Sequence, residues 1–427
     1  MRTRIGYITD ALPGYHRVHA GAERACASMG DLVEKETGTS IVYFFRSPDA
    51  PQKASGKDYQ VIDTIEDHTK SSAIKALVWT LLLDPFAFVS SIKKIKEEDV
   101  DIVHMHHLTQ ISLSPILAAK LLNKPVIFSF YDYYPLCPKC NLIDNKKCIC
   151  TKKDACDECV PLENIKNDTI KYLLRSTGAL KIIYKLRSCI VKYTLSKVDS
   201  FIVLSDTWKN LLISYGIPGS KIFVIPLPVT VIHPEPTFTA KHPSLLFVGW
   251  EYPHKGLNVL VNALRSVKSE FPDVTLYVIS ADVNQEYHNE VMNTITKHGL
   301  ENNVVFLGKS SYTEIHSLLD QVDVVVVPEQ WNIAWSIFLT EAMAHGKAIV
   351  ASYIGDIPEV ITHYQTGLLV SAVVPMDFAE RITTYLKNPE FAKAMGERAK
   401  TKIASVANDL SVLTKVKYLY RKVIVGK

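Results

Sequence analysis

The sequence predicts an α/β protein built from two doubly wound, parallel-sheet domains. Three observations carry that expectation. Short β-branched runs alternate with helical patterns along the chain, the runs are apolar on both faces, and one proline-rich stretch interrupts the series near its middle. At 427 residues the chain exceeds what one core serves and suits two domains of about two hundred residues each.

Strands are expected over residues 5–9, 41–45, 102–105, 126–130 and 201–204, and after the break over 245–248, 276–279, 304–307, 324–327 and 349–352. The four consecutive valines at 324–327 are the clearest, because an unbroken apolar run suits a strand covered by helices on both sides. Prolines at 226, 228, 234, 236 and 243 mark residues 227–242 as a linker. An N-terminal Rossmann-like domain would then occupy 1–226 and a second one 243–402, leaving 403–427 as a C-terminal segment that is helical and basic over 408–425.

With 47% hydrophobic and 22% charged residues the composition is that of a globular enzyme. A formal charge of +4 gives no support for a nucleic-acid partner. The first ten residues read as a strand rather than a signal peptide, and the apolar stretch 76–83 is too short to span a bilayer. A cytoplasmic location is expected, and there a disulfide framework is disfavoured. The eight cysteines need another explanation.

After the first strand, Ala20-Gly21-Ala22-Glu23 combines small residues with a helix start, so backbone amides can approach a diphosphate closely. The run Asp101-Ile102-Val103-His104-Met105-His106-His107 ends a strand with three histidines as candidates for the acceptor side, His104 reading as a buried, hydrogen-bonded residue and His106 and His107 as lining the edge. A metal on the two histidines spaced by two is the alternative. The next strand ends at Tyr131-Asp132, where Asp132 offers acid/base capacity and Tyr131 a hydroxyl whose pKa near 10 makes a poor base.

Residues 137–159 carry two Cys-x-x-Cys knuckles, Cys137/Cys140 and Cys156/Cys159, the spacing that presents thiolates to one structural zinc ion. Cys148 and Cys150 are alternates, since six thiols exceed four ligand positions. Cys26 and Cys189 read as packing residues. From 164 to 197 the chain is helical and basic, with Lys171/Arg175 and Lys181/Lys185 four apart, a pattern suited either to an anionic membrane surface or to a solvated helix face.

The second domain opens with Val248-Gly249-Trp250-Glu251-Tyr252-Pro253-His254-Lys255-Gly256, where Lys255 at a helix start stands ready for a phosphate. Downstream, the valine strand leads into Pro328-Glu329-Gln330-Trp331-Asn332-Ile333-Ala334-Trp335-Ser336-Ile337, with a helix opening near Ser336 and carrying Glu341-Ala342-Met343-Ala344-His345-Gly346. A strand, a polar loop and a helix N-terminus form an anion and sugar-hydroxyl site at the carboxyl edge of a sheet.

Taken in order from residue 5 to residue 370, these motifs resemble the retaining glycosyltransferases of family 4, which have the GT-B fold. The resemblance implies two Rossmann-like domains facing across a cleft, a nucleoside diphosphate sugar as donor, and a glycan or lipid-linked acceptor. It implies donor contacts at Ala20, Gly21, Gly249, Trp250, Lys255, Asn332, Ser336, Ile337 and Glu341, the last binding ribose hydroxyls. Tyr131 and Asp132 stand where the family carries its catalytic pair, and the last helix would cross back onto the N-terminal domain. Catalysis need not use magnesium, so no catalytic metal is expected, and peripheral contact with the inner face of a membrane suits a lipid-linked acceptor.

Six positions depart from the family pattern: Ala20 for glycine, Tyr131 for histidine, Trp250 for arginine, Ile333 for the first of two glutamates, and Trp335 and Ser336 for Phe-Gly. Because three of them lie where chemistry would occur, a non-catalytic relative that binds a nucleotide sugar or glycan as sensor or assembly partner is the rival reading. A phosphorylase or epimerase on the same fold is another, and a dehydrogenase is disfavoured because no Gly-x-Gly-x-x-Gly follows a strand.

Overall fold

The computed structural model describes residues 3–13, 15–16, 21–37, 39–47, 57–144, 150, 156, 159, 178–236 and 239–425. Ala20, Cys148, Lys171 and Arg175, among the residues singled out above, lie outside these. The chain divides into two compact units, Met1–Leu227 with Val412–Lys427, and Pro228–Ser411.

The first unit holds a seven-stranded sheet of β1 (Arg4–Thr9), β2 (Ser40–Phe45), β3 (Tyr59–Val61), β4 (Ile102–His107), β5 (Val126–Ser129), β6 (Ser200–Val203) and β7 (Ile222–Val224). Its order is β3-β2-β1-β4-β5-β6-β7, and every pairing is parallel. The chain winds outward from β1 to β3, then returns to place β4 on the other side of β1. That reversal makes the β1/β4 boundary the switch point, where loops leaving the carboxyl ends part and open a crevice.

One face of this sheet buries Tyr7, Tyr43, Ile102 and Ile127 against Val412, Val416, Leu419 and Tyr420 of the helix Asp409–Val425. The Tyr7 and Tyr420 hydroxyls meet at 2.6 Å, and Tyr420 also bonds His104 Nδ1 at 2.9 Å. The last helix is therefore built into the first unit by a buried polar chain as well as by apolar packing.

The second unit holds β8 (Ser244–Val248), β9 (Thr275–Ile279), β10 (Val304–Gly308), β11 (Val324–Val327), β12 (Ala348–Ser352) and β13 (Leu368–Val370), in the order β10-β9-β8-β11-β12-β13, again all parallel. The four valines of β11 divide between two cores: Val324 and Val326 face one with Leu245 and Phe247, Val325 and Val327 the other with Leu246 and Ile349. Alternating burial on two faces is what a run without polar residues requires. Here the winding reverses between β8 and β11.

All ten expected strands are present, within about a residue or two at their ends. Three were not expected: β3, β7 and β13 have three residues each and lie at sheet edges, too short to show a period of two. The described part of the basic segment is the helix Ala179–Ser196. Cys26 is buried as expected, whereas Cys189 on that helix is exposed, so the packing role read for it is corrected. Among the described residues, no helix is long and apolar enough to cross a membrane.

Candidate active site

In the first unit, residues after β1, at a helix start, at the end of β4 and after β5 meet at the β1/β4 switch point. Asp10 follows β1, Glu23 lies in the first turn of the helix Gly21–Thr37, His107 ends β4, and Asp132 follows β5. His107 Nδ1 stands 2.8 Å from Glu23 Oε1 and 3.2 Å from Asp10 Oδ2, while its Nε2 is 3.0 Å from Asp132 Oδ2. Burial alone would lower the His107 pKa, but the hydrogen bonds and charges of Asp132, Glu23 and Asp10 outweigh it and hold it well above the usual range. His107 is thus an imidazolium held among three carboxylates. Burial raises Asp10 to about 6 against the opposing pull of His107.

The other two histidines of β4 do not reach this edge. His104 is fully buried, with Nδ1 on Tyr420 and Nε2 2.8 Å from the Ser129 hydroxyl, and burial lowers its pKa to about 3. His106 is also buried, not at the edge as expected, and its Nδ1 bonds the Tyr131 hydroxyl at 2.8 Å. Strand alternation explains the split, since 104 and 106 share one face and 107 takes the other. Burial holds the Tyr131 phenol well above its usual pKa, so Tyr131 is a neutral hydrogen-bonding group. Asp132 Oδ1 accepts the Tyr134 amide at 2.8 Å, which fixes the carboxylate toward His107.

In the second unit the loops after β8 and β11 meet in the same manner. Lys255 Nζ lies 2.9 Å from Glu329 Oε1, and Trp331 Nε1 donates to Glu329 Oε2 at 2.6 Å. The ammonium also stands 5.2 Å from the centre of the Trp331 ring. Gly256 follows at φ +75°, and a Cβ there would overlap the Pro328 carbonyl oxygen. Only glycine lets the Lys255 loop lie this close to the β11 loop. The Gln330 amide donates to the His254 carbonyl at 2.8 Å and ties the two loops together.

Ser336 caps the helix Ile337–Ala344, its hydroxyl accepting the Leu339 amide at 3.3 Å. Glu341, on that helix, is buried, with its Oε1 3.9 Å from His316 Nε2. Asn332 is half-buried in the loop, Gly249 ends the β8 turn, and Trp250 projects with 41% of its surface exposed. Ile333 turns into the core with Leu339 and Ile357 rather than toward the loop surface, and its carbonyl accepts the Asp356 amide at 3.0 Å. Glu329 carries the acidic group of this loop.

The described cysteines form turns. The Cys140 amide donates to the Cys137 carbonyl and the Cys159 amide to the Cys156 carbonyl, each at 3.1 Å. Cys137 is buried, Cys140, Cys150, Cys156 and Cys159 are half-buried, and none is in a disulfide. Among the described residues, no three sulfur atoms lie within 4.8 Å of one another, whereas Asp10, Glu23 and His107 do bring three donor atoms that close.

Sequence reading missed Asp10 as a member of the first constellation. A polar residue directly after an apolar strand at a switch point is the signal that could have found it.

Two parallel α/β units with loop sites at their switch points define the GT-B class of glycosyltransferases. The family model for Glycosyltransferase Family 4 matches residues 20–231, and that for Glycosyl transferases group 1 matches residues 229–402. The chain belongs to glycosyltransferase family 4. Sucrose-phosphate synthase of Thermosynechococcus elongatus shares the fold over 100% of both chains, with a TM-score of 0.73 at 16% identity. HepE of Anabaena, solved in complex with UDP and glucose, covers 98% of this chain and 100% of its own at a TM-score of 0.68 and 15% identity. A D-inositol 3-phosphate glycosyltransferase of Corynebacterium glutamicum is 28% identical over 159 residues, 36% of this chain and 37% of that protein. The chain spans about two fifths of the length of the curated relatives it matches.

Proposed function

We propose that the protein transfers a sugar from a nucleoside diphosphate sugar to a hydroxyl of a glycan or lipid-linked acceptor, with retention of anomeric configuration. The observation that carries this reading is Lys255, held at a glycine-dependent loop on the β8/β11 switch point with its ammonium paired to an anionic group. In this reading the diphosphate displaces Glu329 as the partner of Lys255, and Glu341 accepts the ribose hydroxyls. UDP, bound by HepE, is the first nucleotide to test.

In the first unit Asp132 accepts the hydrogen bond of the incoming hydroxyl, while the His107 imidazolium fixes that carboxylate and offsets its charge. The bond from C1 of the sugar to the diphosphate oxygen breaks as the acceptor oxygen bonds C1 from the same face. The hydroxyl proton passes to Asp132, its hydrogen-bond partner, and because attack comes from the face the diphosphate leaves, no protein nucleophile is needed. Tyr131 serves as a neutral positioning group through His106.

Structural zinc on Cys137, Cys140, Cys156 and Cys159 belongs to the same reading, supported by the two closed Cys-x-x-Cys turns, and it requires those turns to draw together. Peripheral attachment to an anionic membrane is supported by exposed Ile182 and Leu186 beside Lys181 and Lys185 on the helix Ala179–Ser196.

Turnover of a panel of nucleotide sugars with glycan and lipid-linked acceptors tests the proposal. Acceptor-dependent nucleotide release, with the product's anomeric configuration matching the donor's, supports it. Tight donor binding with no turnover favours the sensor reading, which the buried Ile333 and the neutral Tyr131 would then explain.

A further inference from the structure

The second unit contains a second constellation that donor binding does not use directly. His233, Asp320 and His345 bring three donor atoms within 4.8 Å of one another. The Asp320 carboxylate lies between the imidazoles, 3.0 Å from His233 Nδ1 and 2.7 Å from His345 Nδ1. His233 comes from the segment before β8, and Asp320 ends the helix Tyr312–Gln321. Two bonds hold the segment on that helix: Tyr312 Oη donates to the Thr230 carbonyl at 2.8 Å, and the Ala240 amide donates to Gln321 Oε1 at 3.0 Å. Lys347 donates to the Asp320 and Val322 carbonyls, leaving the Asp320 carboxylate to the imidazoles.

Behind His345 lies His316, fully buried, its Nδ1 2.7 Å from His345 Nε2. His316 Nε2 has no hydrogen-bond partner and lies 3.9 Å from Glu341 Oε1. The chain of neutral tautomers explains the orphan. Asp320 accepts, so His345 carries its proton on Nδ1 and takes the His316 proton on Nε2. His316 Nε2 is then a bare lone pair near a carboxylate, a costly arrangement for a buried group.

We propose that His233, Asp320 and His345 form a binding site for a divalent transition metal of the zinc class, and that metal there converts His316 into a hydrogen-bond donor to Glu341. Two imidazole nitrogens and one carboxylate oxygen suit zinc, with water in the fourth position, and do not suit the all-oxygen cages of magnesium or calcium. Around a tetrahedral ion the donor atoms stand about 3.3 Å apart, so the His345–Asp320 contact would open by about 0.6 Å and the His233–Asp320 contact by about 0.3 Å. Metal on His345 Nδ1 moves that proton to Nε2, which donates to His316 Nδ1. The His316 proton then sits on Nε2, 3.9 Å from Glu341 Oε1, and the pair bonds once it closes by about 1 Å, with no net proton gained or lost. His316 thus acts as the outer partner that fixes a ligand's tautomer. This second effect rests on the donor role proposed for Glu341; the metal site itself does not.

The test uses the full chain, stripped with chelator and titrated with Co²⁺. The expected result is a cobalt ion with a nitrogen–oxygen d–d spectrum, separate from the thiolate charge-transfer band of any cobalt on the cysteines, bound at least about 100-fold more weakly by H233A and D320N. His233 is exposed, so H233A should keep the wild-type circular dichroism and separate ligand loss from misfolding. Equal cobalt affinity in wild type and H233A, or cobalt bound only with a thiolate charge-transfer band, overturns the site. In a second titration, zinc should tighten UDP binding about tenfold in wild type and not in H233A. UDP bound equally well with and without zinc overturns the coupling. UDP that fails to bind even with zinc present counts against the donor reading of Glu341 and takes the coupling with it, while the cobalt titration still decides the site.

Discussion

The Lys255 ammonium lies 2.9 Å from one oxygen of Glu329, and the Trp331 indole donates to the other at 2.6 Å. The pair sits where the winding of the second sheet reverses, so a largely enclosed cation is already provided with an anion that a diphosphate can replace. Lys255→Met leaves Glu329 buried without its charge partner and should cost about 3 kcal/mol of stability. The double variant Lys255→Met/Glu329→Gln should recover most of that in urea unfolding while UDP affinity stays lost. Recovery of both together would show that the lysine serves the fold alone.

Gly256→Ala tests the approach of the two loops. The new Cβ would overlap the Pro328 carbonyl oxygen at a φ that non-glycine residues avoid. The strain in φ alone costs about 1–2 kcal/mol, and displacement of Pro328 adds to it. Thermal unfolding should report the loss, and UDP affinity should fall with it.

Asp132 and Tyr131 are adjacent but should respond differently. Asp132→Asn removes the carboxylate held by His107 and should lower turnover by about two orders of magnitude or more. Tyr131→Phe deletes a neutral hydroxyl bonded to buried His106 and should change turnover by less than about tenfold. Initial rates at saturating donor would separate them.

Two histidines three residues apart on β4 should have opposite pH signatures. The His104 pKa is depressed from 6.5 to about 3, so its contribution to stability is present above 6.5 and lost as pH falls toward 3. The advantage of wild type over His104→Gln should therefore shrink by about 1.4 kcal/mol per pH unit below 6.5. The His107 pKa is raised, so its contribution is complete below 6.5 and lost as pH rises through the raised value. Against His107→Gln, the wild-type advantage should decline on the alkaline side. Urea unfolding across pH measures both.

The sheets were legible because each strand is a short apolar run between helical patterns, and the valines of β11 left no other reading. Edge strands of three residues were not, since so few residues carry no period. Lys255 and Gly256 could be read locally, because a strand, a glycine turn and a helix start constrain one another, whereas Glu341 was singled out by the family resemblance. The Asp10–Glu23–His107–Asp132 constellation could not, because it joins four elements distant in sequence through parallel crossovers. His106 looked equivalent to His107 until strand alternation placed it inside beside His104, which is buried and hydrogen-bonded as expected.

Calorimetric titration of UDP into wild type, Lys255→Met/Glu329→Gln and Glu341→Ala tests the central claim most directly. Saturable binding to wild type, weakened at least about tenfold in both variants, is the predicted result. Equal affinity in all three proteins, or acceptor-dependent sugar transfer that continues undiminished in both variants, would contradict a donor site at the β8/β11 switch point.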